Sequence, residues 1–110
     1  LTSLDNYALK EIGHKRSVGN LVLHQAKLAA KAKLDAIVCS PHELKFVKKV
    51  FKGEIITPGI RLNNELNDQK RVMTPKKAIK MGSDWLVIGR SITHGNIKEN
   101  TQNLINHLYK

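Results

Sequence analysis

Apolar positions along the chain repeat at a helical spacing, break, gather into short runs, and return to helical spacing, several times over. Leu4, Ala8, Leu9 and Ile12 predict a helix from Leu4 to a stop at Gly13. Ser17 suits the cap of a longer helix reaching about Lys33, with Val18, Leu21, Val22, Ala26 and Ala29 on one face. The run Asp35 to Cys39 reads as a short strand, closed by Ser40-Pro41, and Pro41 fits the first position of a helix capped by Ser40. In that helix Leu44, Val47 and Phe51 share a face, Lys45, Lys48, Lys49 and Lys52 point outward, and Gly53 ends it. Glu54 to Thr57 is the next predicted strand, cut off by Pro58-Gly59. Thr74-Pro75 opens a short helix with Ala78, Ile79 and Met81, closed by Gly82. Asp84 to Ile88 predicts the last strand, 89–96 a turn region, and Ile97, Thr101, Leu104, Ile105 and Leu108 a final helix.

Regular alternation of strand and helix predicts an α/β fold with a parallel sheet and right-handed crossovers. At 110 residues the chain is expected to form one domain, with a core of modest size. Leu1-Thr2-Ser3-Leu4 resembles the last residues of a strand, so the chain is expected to begin in the middle of a fold. Leu62 to Val72 is the one stretch without a packing pattern, and loops of that length in a compact unit are usually functional or disordered.

Composition changes this picture little. Aromatics are sparse at 5%, so burial must rest on Leu, Ile, Val and Ala, which suits helices on a parallel sheet. The net charge of +10 raises nucleic acid, an anionic membrane surface or a phosphorylated small molecule as partners. The lysines are spread over every predicted helix, and no aromatics interleave with them as stacking platforms, so nucleic acid is not the expected partner. No apolar run approaches the roughly 20 residues of a membrane span, and no leader is visible, which points to a cytoplasmic protein. With Cys39 alone, disulfide frameworks and multi-cysteine zinc sites are excluded.

The candidate chemistry lies at two strand ends. One reads Pro58-Gly59-Ile60-Arg61, the other Gly89-Arg90. Glycine lets backbone N–H groups approach a ligand, and arginine offers a planar fork of donors that matches phosphate. Either pair alone is most simply a strand stop and a solvated charge. Two such pairs at the ends of successive strands predict an oxyanion clamp. Cys39 is expected to be a small buried residue, because no histidine or acid is placed to activate it. Cys39 and His42 have near-ligand spacing but lack a third donor, so no metal is expected. His14, His24, His94 and His107 share no motif, and Asp35 and Asp84 precede strands, where a turn role is the ordinary explanation.

LTS, DAIVCSPHE, ITPGIR, DQKRVMTPKKAIKMGSDWLVIGRSIT and the closing helix, in that order, resemble the orotidine 5′-phosphate decarboxylase family over essentially the whole chain. The resemblance implies the C-terminal half of a (β/α)₈ TIM-type barrel, from the end of strand five through strand eight, as a single partial domain over 1–110. Such barrels carry their sites at the C-terminal strand ends, often with a phosphate site after strands seven and eight. It implies that Thr2 contacts the pyrimidine, that Arg61 and Gln69 belong to a loop closing over the phosphate, and that Gly89 and Arg90 donate to that phosphate. Pro58 and Ile60 would shape the wall near the pyrimidine. The family is a carboxy-lyase that uses no cofactor or metal and acts on orotidine monophosphate (OMP), releasing uridine monophosphate (UMP). Its alternating lysines and aspartates lie on earlier strands, so no catalytic residue is expected in this chain and little activity from it alone. Two departures are visible: the loop after Arg61 reads LNNELN, and Ser91 stands where the family commonly has proline.

Half a barrel leaves sheet edges and an apolar inner face uncovered, so a homo-oligomer or a missing N-terminal half is expected as partner. Three rivals stand beside this reading: another sugar-phosphate barrel enzyme, a non-catalytic remnant or split-gene fragment, and a basic nucleic-acid-binding module.

Overall fold

A computed structural model of the chain describes residues 3–62 and 72–109. In order, the elements are α1 (Asn6–Glu11), α2 (Val18–Lys31), β1 (Ala36–Val38), a single 3₁₀ turn (Pro41–Glu43), α3 (Leu44–Val50), β2 (Glu54–Thr57), α4 (Pro75–Lys80), β3 (Trp85–Leu86), α5 (Arg90–Thr93) and α6 (Ile97–Tyr109). The three strands form one parallel sheet in the order β1-β2-β3. The expected α/β alternation is therefore present over the described residues. Of the strand end expected at Leu1 to Leu4, residues 1 and 2 lie outside them, Ser3 is in a turn and Leu4 is in no strand.

Local chemistry explains the helix ends. Asp5 accepts from the Ala8 N–H at 2.8 Å and caps α1, which starts two residues after the predicted Leu4. Ser17 accepts from the Asn20 N–H at 3.2 Å and starts α2 where expected. Asn6 Oδ1 accepts from the Val18 N–H at 2.8 Å, fixing the turn between the two helices. Ser40 accepts from the His42 N–H at 3.4 Å, but the turn it opens is 3₁₀ before it relaxes into α3.

Register sorts the sheet into two faces. Leu9, Leu44, Val47 and Ile55 are fully buried and, with Phe51, form the core under α2 and α3. A smaller cluster of Ile60, Met73 and Ala78 joins α4 to the far side, with Leu86 and Ile88 packed against it. On the opposite face the register sets Val38 beside Ile56 and Ile56 beside Trp85. Val38 and Trp85 are 64% and 59% exposed, so this apolar face is bare.

Three expectations need correction. The last strand is two residues, not five, because the next residue of β2 that would face it after Thr57 is Gly59, where the chain turns away at φ 73. One bond continues past it, from the Val87 N–H to the Thr57 carbonyl at 2.9 Å. The predicted turn over 89–96 contains α5, whose first residue is Arg90. Lys48 does not simply point outward: its stem crosses Gly82 and its ammonium lies 3.9 Å from Asp84.

Candidate functional site

Beyond β2 the chain turns sharply. Gly59 has φ 73, a left-handed value that an L-residue adopts at a cost, and this swings Ile60 and Arg61 back across the end of the sheet. The swing is pinned by two backbone bonds: Met73 N–H donates to the Gly59 carbonyl and Arg61 N–H to the Met73 carbonyl, both at 3.0 Å. Ile60 and Met73 thus form an isolated parallel bridge. The apolar Ile60 is drawn into the core, and Arg61 is held at only 8% exposure.

Beyond β3 the chain makes a second turn. Val87 faces out at 51% exposure, and Gly89 caps α5. A Cβ built on Gly89 would meet no atom within 4 Å, so protein packing does not itself demand glycine there. Arg90 follows as the first residue of α5.

The two turns enclose a recess of about 170 Å³, walled by Pro58, Gly59 and Arg61 on one side and by Val87, Gly89 and Arg90 on the other, with Ile60 at its base. The structure brings together four of the six predicted site residues: Pro58, Arg61, Gly89 and Arg90. Thr2 and Gln69 lie outside the described residues. Among the described residues lining the recess are two arginines and no acidic residue. Arginine stays charged at any physiological pH, so an anion is the ligand this lining suits.

A larger recess of about 310 Å³ lies between α2 and β1, with Val22, Ala26, Ala29 and Ile37 among its walls. It has no charged side chain, so its chemistry cannot hold a phosphate. Cys39 lines it, 8% exposed, and burial pushes its thiol up to about 11. A thiol held protonated in this way is a poor nucleophile. Pro58 lines both recesses.

Reading by sequence missed two anchors. His42 Nε2 meets the Val72 carbonyl at 2.9 Å, and because a carbonyl only accepts, this nitrogen carries the proton. Ser91 Oγ accepts from the Leu62 N–H at 3.3 Å. The stretch expected to close over the ligand is therefore tied at both of its described roots. Each bond joins residues about thirty apart in sequence, which no local pattern signals. Among the described residues no three His, Cys, Asp or Glu side chains gather as a metal site, and no helix is long and apolar enough to cross a membrane.

A sequence model described as the orotidine 5′-phosphate decarboxylase / HUMPS family matches residues 1–102. The chain belongs to that family. An orotidine 5′-phosphate decarboxylase of Coxiella burnetii (strain RSA 331) is 51% identical over 96 residues, covering 84% of this chain and 41% of that protein. One from Pseudoalteromonas translucida is 47% identical over the same shares. The crystal structure of orotidine 5′-phosphate decarboxylase from Lactobacillus acidophilus superposes with a TM-score of 0.77 at 29% identity, over all of this chain and 46% of that one. The chain thus spans about two-fifths of the length of the curated relatives it matches. The family and the partial coverage agree with the resemblance carried by the PGIR, DQKR and IGR elements.

Proposed function

We propose that this chain is the phosphate-holding C-terminal portion of an orotidine 5′-phosphate decarboxylase, a single partial domain that runs from the end of the fifth barrel strand through the eighth. The observation that carries the reading is the recess shared by Arg61 and Arg90 at the C-terminal ends of two neighbouring parallel strands. In this reading the 5′-phosphate of OMP or UMP sits between the two guanidiniums, with Gly59 and Gly89 allowing close approach of the backbone. Pro58 forms the wall towards the pyrimidine. Thr2 contacts the pyrimidine and Gln69 closes over the phosphate, as the resemblance implies.

The decarboxylating lysine and aspartates belong to earlier strands of the barrel, beyond these 110 residues. Grip on a remote phosphate lowers a barrier only when a reacting group is present to use it. The chain alone therefore has little or no carboxy-lyase activity, and no cofactor or metal enters. The bare face carrying Val38, Ile56 and Trp85 supports a partner that covers it, either the N-terminal half of the barrel or a second copy.

Calorimetric titration of the chain with UMP, with Arg90→Ala as control, tests the reading. Saturable binding that Arg90→Ala abolishes supports it. Absence of binding at millimolar UMP overturns it.

A further inference from the structure

We propose that Ser91 is a positioning residue that holds the two arms of the anion recess at a fixed separation, a role that rests on the phosphate reading above. One arm runs from Pro58 to Leu62, the other from Val87 to Ser91. The first arm is held at its base by the Gly59–Met73–Arg61 backbone bonds, which tie it to the start of α4 and not to the second arm. Past Arg61, the Leu62 N–H donates to Ser91 Oγ at 3.3 Å in a partly buried setting. That bond joins the two arms one residue past each arginine, since Leu62 follows Arg61 and Ser91 follows Arg90.

Hydroxyl chemistry makes the tie specific. An alanine at 91 has no acceptor, and a proline has neither acceptor nor N–H. Proline nevertheless fits the second position of α5, where the helix does not need that N–H. Ser91→Pro therefore removes the tie without opposing the helix, and Ser91→Ala removes it with the least change of shape. Ser91→Thr retains the oxygen. A cross-arm bond on the residue after Arg61 limits how far that arm can move before the anion arrives. Preorganisation of this kind appears as affinity, because less ordering remains to be done on binding.

The test combines amide hydrogen exchange at Leu62 with calorimetric titration of UMP, on the chain and on Ser91→Ala, Ser91→Pro and Ser91→Thr. The expected result is Leu62 exchange about five- to tenfold faster in the Ala and Pro variants, the size of one ordinary hydrogen bond, with UMP affinity weakened by a similar factor. Ser91→Thr restores both. Unchanged Leu62 exchange in Ser91→Ala overturns the tie itself. Faster exchange with unchanged affinity overturns its service to the site. Failure of the unsubstituted chain to bind UMP overturns the phosphate reading and this role together, and the exchange data distinguish that outcome from the other two.

Discussion

The hydroxyls of Thr57 and Ser83 meet at 2.7 Å in the buried interior, one at the end of β2 and the other just ahead of β3. The Trp85 carbonyl lies within reach of both, 2.9 Å from the Ser83 hydroxyl and 3.4 Å from that of Thr57, so one hydroxyl can donate to the carbonyl while the other donates to its neighbour. This chain of bonds sets the spacing of the two strands whose ends form the recess. Ser83→Ala leaves the Thr57 hydroxyl with only a 3.4 Å contact to the Trp85 carbonyl. A loss of about 1–3 kcal/mol in urea unfolding is expected, and a loss below ~0.5 kcal/mol would show that the pair does not hold the strands.

Gly59 gives a second outcome. Its φ of 73 disfavours any side chain, so Gly59→Ala should cost about 1–2 kcal/mol of stability and shift Arg61 from its place. UMP titration of that variant is expected to show weaker binding than its stability loss alone would produce. Equal affinity would mean that Arg61 does not touch the ligand.

Cys39 gives a pH-dependent outcome with a definite sign. Burial raises its thiol from 9.0 to about 11 in the folded chain, so between those values the unfolded chain loses the proton first. Stability contributed by the protonated thiol is complete below pH 9 and declines as pH rises towards 11. Chemical denaturation of Cys39→Ala across that window should show a shallower alkaline decline than the parent chain. Identical slopes would place the thiol in water.

Trp85 is the chain's single tryptophan, and its indole N–H donates to Glu54 at 2.7 Å on the bare sheet face. Acrylamide should quench it readily in the dilute chain. Addition of an N-terminal barrel half should shift its emission to the blue and protect it. Poor quenching of the dilute chain by itself would mean that copies of the chain already cover that face.

Legibility in the sequence followed the origin of each contact. Leu44 and Val47 were readable as a face of α3, and Phe51, which falls one residue past its end, as part of the same core, because the chain itself supplies their covering; all three are essentially buried. The stripe on α6 was equally periodic, yet Ile97 and Ile105 are 58% and 44% exposed, because spacing reveals a face and not what lies over it. α5 escaped notice because four residues are too few to show a period. At the recess, glycine and arginine types announced Arg61 and Arg90. The Leu62–Ser91 and Val72–His42 bonds were invisible, since they depend on how the fold returns on itself.

Every wall of the anion recess comes from residues 58–61 and 87–90, and none from α1, α2 or β1. Two consecutive strand–helix units therefore line the recess by themselves. In the proposed reading such a segment is a cassette: duplicated or transplanted, it would carry the handle for phosphate with it, and new chemistry could be installed on the remaining strands without rebuilding that handle.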